Sequence, residues 1–369
     1  MFTMSDEHRM LQEAANGFVQ DKMATTHLRT VRNADAGGFD RAMYAEMAAM
    51  GWAGILVPEA FGGAGLDRRG LGLILEECGR TLAPSPLLST AMIGAVALAE
   101  SDNDDVKKAW LPKIADGSAI VAFAVDETHH HAPAKTAVTL KKAAKGAEIS
   151  GAKVYVADGA AADVLLVLVR DGKDLALCLV DPKASGVSIR PLKTVDSRNA
   201  ADITFTDAPV LAVLKAGSAK TVYVEHVLDC ARVGLAAEML GQATQSFEIT
   251  AQYLKTRTQF GQLIGSFQSM QHRAGKMLVD LELTRSCVIA AFSALDEGRA
   301  DAAELSSLAK ARACDTVHLV SNEMVQMHGG IGMTDAHDAG LYMKRARVTE
   351  ALYGGASFHR DRYATLNGY

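Results

Sequence analysis

Two long stretches of helical periodicity within residues 224–296, joined by Arg257-Thr258-Gln259-Phe260-Gly261, limit what this chain can fold into more than any other feature. Upstream of the joint, Val233, Ala236, Ala237, Leu240, Thr244, Phe247, Ala251 and Leu254 recur at steps of three and four, so one helix face is apolar or small. Downstream, Met270, Ala274, Met277, Leu281 and Val288 repeat the pattern. Amphipathic helices of this length, linked by a short turn, cannot bury their stripes alone; the pattern predicts neighbours in an antiparallel bundle. The joint carries more than a turn needs. Arg257 offers a planar fork of donors suited to phosphate oxygens, Phe260 offers an aromatic face, and Gly261 and Gly265 let backbone approach a ligand. On spacing alone, a plain helical hairpin with an exposed arginine accounts for the same residues.

Around this feature the chain changes character twice. Residues 5–116 read as mostly helical, with apolar and alanine-rich segments at 9–24, 39–50, 70–81 and 88–100, broken most densely by the Pro- and Gly-rich loop from Gly51 to Gly65. At Gly117 the period shortens: Ala119–Val125, Val164–Val169, Leu175–Val180 and Asp202–Thr206 have strand length and strand composition. Asp171-Gly172 between two of them signals a tight hairpin. Helical pattern returns after a short linker near Ala212–Ala219. The expected plan is an α+β multidomain chain: an N-terminal helical domain over 1–116, a small, largely antiparallel β domain over 117–212, and a helical-bundle domain over 220–369.

Composition narrows the function classes. A formal charge of -5, with 22% charged residues and no block of like charge, gives no footprint for nucleic acid. The five cysteines are scattered without paired spacing, which argues against a disulfide framework or a zinc site and fits a reducing cytoplasm. Met1–Met10 lacks the apolar core of a secretory signal, and no window approaches the ~18 apolar residues of a membrane span. His129-His130-His131 has no second ligand cluster at a sensible spacing, so a solvated loop is expected there and no metal.

Five segments, taken together, resemble the acyl-CoA dehydrogenase family over nearly the whole chain. They are the loop from Val57-Pro58-Glu59 to Gly62-Gly63, Trp110-Leu111-Pro112-Lys113-Ile114-Ala115-Asp116-Gly117, the segment Asp196 to Asp207, Arg257 to Gly261 followed by Phe267-Gln268, and Gln326-Met327-His328-Gly329-Gly330-Ile331-Gly332. The resemblance implies an FAD-dependent oxidation of an acyl-CoA thioester at its α and β carbons, in which a carboxylate takes the α proton and the flavin takes a hydride. It also implies a tetramer in which one subunit supports the adenylate and pyrophosphate end of its neighbour's FAD. The positions matching that support are Arg257, Phe260, Gln268, Gln326, Gly329 and Gly330, and all are present. His328 stands beside them, as a neighbour of the adenylate or as a structural histidine.

The positions implied to carry the catalytic base are empty. The Tyr-Glu-Gly-Thr stretch of many members reads Tyr353-Gly354-Gly355-Ala356, and the alternative site, one residue before an arginine on the helix preceding the joint, is Ala231 beside Arg232. The run whose glycines and hydroxyls reach the flavin reads Asp126-Glu127-Thr128-His129-His130-His131-Ala132-Pro133, and the usual Trp-Ile-Thr reads Tyr155-Val156-Ala157. The lost groups all belong to the half-site a subunit builds for its own flavin ring; the retained ones belong to the half-site it offers a neighbour. The partition leads to the expectation of a non-catalytic subunit in an α2β2 heterotetramer, with a homologous partner that carries the catalytic Glu and holds most of the acyl-CoA. Such assemblies are similar to two-subunit dehydrogenases acting on steroid side chains and to small subunits of pimeloyl-CoA dehydrogenases, which implies a bulky or dicarboxylic CoA ester. Two alternatives stay open: a self-sufficient homotetramer with Glu350 as a displaced base, and a flavin-free scaffold. Asp229 is a poorer base, since two residues along a helix turn a side chain by about 200°.

Overall fold

The computed structural model describes residues 4–34, 37–143, 146–215 and 220–369. Its α-helices are α1 (Asp6–Lys22), α2 (Thr25–Asn33), α3 (Arg41–Ala49), α4 (Arg68–Thr81), α5 (Ala95–Ala99), α6 (Asp104–Ala115), α7 (Lys220–Thr256), α8 (Gln268–Asp296), α9 (Ala302–His328), α10 (Ala339–Ala351) and α11 (Ala356–Leu366). The strands are β1 (Val121–Ala124), β2 (Thr139–Ala143), β3 (Gly146–Ala157), β4 (Val164–Asp171), β5 (Asp174–Val180), β6 (Val187–Pro191), β7 (Ala200–Pro209), β8 (Ala212–Leu214), β9 (Thr258–Gln259) and β10 (Gln262–Leu263). The order is therefore helices, a sheet, then helices again, as the change of hydrophobic period led us to expect. Among the described residues no helix is long and apolar enough to cross a membrane.

The chain divides into two compact units, with a boundary inside α7 between Ala231 and Arg232. The unit made of Thr30–Leu71 and Pro84–Ala231 is built on the large sheet, in the order β6-β7-β3-β2-β4-β5-β8, with β1 also pairing β4. Most pairs are antiparallel; β1 and β2 run parallel to β4. Val164 to Val169 of β4 are all buried, the uninterrupted apolar run of a strand covered on both faces. β4 and β5 form the expected hairpin, closed at Asp171 and Asp174 with Gly172 at φ +63°. β3 carries two register shifts, the second between Lys153 and Val156. Ala212–Leu214, expected as linker, adds the edge strand β8 to β5, and residues 216–219 of that stretch lie outside the described residues.

The other unit comprises Met1–Arg29, Gly72–Ala83 and Arg232–Tyr369. α8 and α9 follow each other through a short turn and pack along their length, with the Thr284 and Thr316 hydroxyls 2.8 Å apart. α10 and α11 both pack on α9. Paired glycines bring α4 against α7: a Cβ on Gly241 would lie 1.8 Å from the Glu76 carbonyl oxygen, and one on Gly79 would lie 2.1 Å from that of Glu238. Ion pairs flank this crossing, Arg285 to Glu76 at 2.6 Å and Arg345 to Glu238 at 2.8 Å. The stripe expected on α7 is buried at Val233, Ala236, Ala237, Leu240 and Leu254, but so are Leu235, Met239 and Ala243 off that face. This part of α7 is a central helix rather than an amphipathic one, because neighbours cover it on more than one side.

Candidate functional site

α7 ends where Arg257 N–H bonds the Tyr253 carbonyl, and a two-strand hairpin follows: Thr258-Gln259 pairs with Gln262-Leu263 across Phe260-Gly261. Both turn residues have positive φ, +54° at Phe260 and +78° at Gly261, the geometry of the tight turn that matches strand twist. Gly261 adopts it freely. Phe260 does not, because its Cβ crowds the backbone in the left-handed region. Its ring is 91% exposed and touches Phe267 edge-on at 6.1 Å. The backbone thus holds a bulky apolar side chain outward against both conformational and solvation preference, a form of strain that concentrates at binding sites. Arg257 is exposed too, and its guanidinium has no hydrogen-bond or ion-pair partner among the described residues. Gln268 opens α8 with its side chain in solvent.

Gln326, Gly329 and Gly330 lie at the far end of α9, and aromatic stacking brings them to the same place. His328 donates from Nδ1 to the Met324 carbonyl at 2.7 Å; its ring stacks on Tyr253 at 4.3 Å and meets His337 at a tilt, also at 4.3 Å. Tyr253 also accepts the Arg257 N–H, so the hairpin and the end of α9 share one anchor. Burial holds the imidazole of His328 below its usual pKa, and the nearby His337 adds to the effect, so the ring stays neutral with its proton on Nδ1. Gly329, at φ +63°, turns the chain into the short helical turn Gly329–Met333. Gly330 differs: neither a positive φ nor a close neighbour requires glycine there, and a Cβ would meet nothing within 4 Å. Gln326, Gly329 and Gly330 are all exposed. Of the two roles open to His328, the buried ring packed on Tyr253 supports the structural one, as a link between the hairpin and the end of α9.

The two expected positions for a base carry no acid. Gly354 has φ +103° and Tyr353 before it +56°, in a turn between α10 and α11. Lys310 of α9, fully buried, donates to the carbonyls of Thr349 (3.0 Å) and Gly354 (2.9 Å), and His359 Nε2 donates to that of Tyr353 (3.1 Å). Burial lowers the Lys310 pKa, opposed by the neighbouring Cys314 thiol and Glu350. The turn is tied down by backbone acceptors. Glu350, the alternative acid, is held by Arg347 and by His318 at 3.1 Å. Ala231 is fully buried within α7, and Asp229 is buried as well.

In the sheet unit, the run Asp126–Pro133 is fastened by its own side chains. Glu127 accepts from the N–H groups of Ala137 (2.7 Å) and Val138 (2.9 Å), from the Thr136 hydroxyl, and from Lys153 Nζ at 2.8 Å. Lys153 is fully buried and also reaches the Val125 carbonyl (2.8 Å) and Thr136 (2.6 Å). Burial pulls the Lys153 pKa down to about 8 against the pull of Glu127. Partial burial works against the Glu127 carboxylate, but Lys153, Thr136 and the Val138 N–H outweigh it and hold its pKa at about 2. A carboxylate so fully engaged is a fastener for the loop. Only part of the His129–His131 run is a solvated loop: His129 and His130 are exposed, whereas the His131 side chain is 2% exposed and pairs with Asp126 at 2.8 Å. Imidazole can satisfy its polar atoms against a carboxylate and so be buried, which the solvated-loop expectation did not allow for. No group of three metal-ligating side chains occurs among the described residues. Tyr155 sits in the second bulge of β3 at φ +48°, its N–H bonded to Asp202 at 2.9 Å. With Ala157 lacking a hydroxyl and imidazoles in the loop, the donor set here does not fit a flavin ring. The exposed guanidinium, amides and open glycines of the other unit do fit a pyrophosphate and nucleotide.

Comparison with known proteins gives the following. Residues 5–118 match the family model for the acyl-CoA dehydrogenase N-terminal domain, and residues 221–365 match that for the C-terminal domain. Acyl-CoA dehydrogenase IpdE2 of Mycobacterium tuberculosis is 28% identical over 352 residues, covering 95% of this chain and 94% of that protein. Acyl-CoA dehydrogenase FadE34 of the same organism is 32% identical over 99% of this chain, which spans 48% of that protein. A variant of the Tcur3481-Tcur3483 steroid ACAD superposes with a TM-score of 0.92 at 32% identity, covering 99% of this chain and 98% of that one.

Proposed function

Because the chain belongs to the acyl-CoA dehydrogenase family, we propose that it is the subunit without a catalytic carboxylate in a heteromeric, FAD-dependent dehydrogenase acting on the CH–CH bond of an acyl-CoA. The observation that carries the reading is the partition of the chemistry. Arg257, Phe260, Gln268, Gln326, Gly329 and Gly330 are all exposed around one anchor, while Gly354 and Ala231 offer no acid and Glu127 is consumed by Lys153. FAD, when bound, supplies the acceptor for the hydride leaving the β carbon. This chain's share is to grip it: Arg257 meets the pyrophosphate, the amides of Gln268 and Gln326 meet polar edges, and Gly329-Gly330 lets backbone approach the phosphates. A homologous partner holds the flavin ring, most of the acyl-CoA and the glutamate that removes the α proton. The likeness to a steroid ACAD whose name joins two proteins supports both a mixed assembly and a bulky CoA ester as substrate.

The test is flavin content, read by visible absorption. The chain purified alone should be nearly colourless, and the chain purified with its partner should carry about one FAD per pair of subunits. Arg257→Ala in the mixed assembly should weaken FAD binding roughly tenfold, the worth of about one charge-assisted hydrogen bond. One tightly bound FAD per chain in the isolated protein, with dehydrogenase turnover, overturns the reading.

A further inference from the structure

Two imidazoles sit beneath the grip, and their hydrogen bonds fix where each keeps its proton. The Met324 carbonyl can only accept, so His328 carries its proton on Nδ1. The Ala339 N–H can only donate, at 3.1 Å, so His337 keeps Nδ1 bare and its proton on Nε2. This second bond satisfies the first backbone N–H of α10. Each ring is thus used in its neutral form. His328 is 4% exposed, and its Nε2 is buried with no hydrogen-bond partner among the described residues. Tyr253, whose carbonyl accepts the Arg257 N–H, stacks on it, and the half-buried His337 ring meets it at 4.3 Å.

A further proton is badly placed on either ring. On His328 it makes a buried cation and turns Nε2 into a donor without an acceptor. On His337 it aims an N–H at the Ala339 N–H and sets positive charge at the N-terminus of α10, against the helix dipole. With both charged, two cations face each other across 4.3 Å. The surrounding charges offer little relief, since neither imidazole has an ion-pair partner among the described residues. The carboxylates on the neighbouring elements are engaged: Asp335 and Asp338 pair with Arg29 at 3.3 and 2.7 Å, Glu323 of α9 with Arg273 at 2.5 Å, and Glu248 of α7 with Arg80. The end of α7 adds only the cations Lys255 and Arg257. On the basis of the grip proposed above, we infer that His328 and His337 are its positioning residues: neutral, they clamp the Arg257 hairpin to the Gly329–Gly330 turn, and a proton on either loosens the clamp, so that coenzyme retention responds to mild acid.

Opening the clamp returns each imidazole toward its ordinary pKa of about 6.5, so protons favour the open form; the clamp is intact above that value and lost below it. One pH unit below, a ring released in this way raises the open population about tenfold. The experiment is hydrogen exchange on the full chain without coenzyme, at about pH 7.5 and about pH 5.5 on either side of that pKa, with rates corrected for their intrinsic pH dependence. Protection of the Arg257 and Ile264 amides, which bond across the hairpin's base, should fall at least about fivefold at the lower pH. His328→Phe keeps an aromatic ring against Tyr253 and cannot be charged; His337→Asn keeps the bond to Ala339 N–H as an Asx turn. Each should remove at least about half of the loss, and His337→Asn carries the test alone if His328→Phe folds poorly. Histidines that only fill space would give variants with altered protection at both pH values and an unchanged ratio between them. In the mixed assembly, FAD affinity should fall over the same interval for the native chain and much less for the variants. Protection indifferent to pH in the free chain, or a loss that neither substitution reduces, overturns the inference. A mixed assembly that binds no FAD at any pH counts against the proposed function instead, because the exchange measurement needs no coenzyme.

Discussion

At the scale of single residues, the most informative pair is Lys153 and Glu127, a buried ammonium and the carboxylate that fastens the 126–138 loop to it. A buried ammonium is tolerated only with its donors satisfied, and Glu127, Thr136 and the Val125 carbonyl satisfy them. Glu127→Gln should lower unfolding free energy at neutral pH by on the order of 3 kcal/mol, because it leaves the lysine charge buried without its counterion. The pH signature follows from the direction of the shift. The Glu127 carboxyl is held down to about 2 from 4.5, so its contribution is complete above pH 4.5 and is lost as pH falls toward 2. Denaturant titrations across that window should show a steeper acid loss for the native protein than for Glu127→Gln; equal slopes would count against the pair. Neither partner was legible in the sequence. A lysine in a strand normally points to water, and an acid beside three histidines looks like loop. That Gly354 and Ala231 carry no carboxyl needs no geometry to recognise.

Elements tell a different story of legibility. The β4–β5 hairpin was readable from apolar runs on either side of Asp171-Gly172, where burial on both faces removes any ambiguity of period. The strands β2, β3, β6 and β8 were not. β3 holds two glycines and carries two bulges, so its side chains keep no steady alternation, and β2 and β6 are short and half-exposed. The joint at Phe260 was expected as a short Gly-containing turn between helices; the strands that pair across it are only two residues each and carry no periodic signal. The turn at Gly329–Met333 yields the clearest prediction at this scale. Gly330 has room for a methyl group and an ordinary backbone, so Gly330→Ala should leave the melting temperature unchanged or slightly raised. The same substitution should weaken FAD binding in the mixed assembly severalfold, because a Cβ stands where phosphate approaches. A destabilised but fully FAD-competent variant would show that the glycine serves the fold instead.

For the whole molecule, the order of helices, sheet and helices was legible because the hydrophobic period changes at Gly117 and again after β8. What the period could not convey is how completely the start of the second long helix run is enclosed, since full burial erases the amphipathic signal. The exposed apolar side chains have the opposite bearing. Leu278, Val279 and Leu283 on α8 are 47%, 60% and 51% exposed, and Phe260 and Met333 stand out beside the grip. Exposed apolar surface of this kind marks an association face. Under the proposed reading, sedimentation of the chain with its partner should give a species of four chains in equal numbers of each kind. Leu283→Lys should shift that species toward smaller assemblies while leaving the fold intact by circular dichroism. Persistence of a four-chain species made of this protein alone, with flavin at every chain, would contradict the division of labour.

The backbone at Gly354 has a historical corollary. With φ at +103° and the surrounding carbonyls fastened by Lys310 and His359, the turn has been shaped around the lack of a side chain. A glutamate arriving there by one mutation would inherit a conformation that L-residues resist, so its bearer would meet selection as a weaker protein before it could be tried as an acid. Under the proposed division of labour, reliance on a partner would thus be easier to enter than to leave.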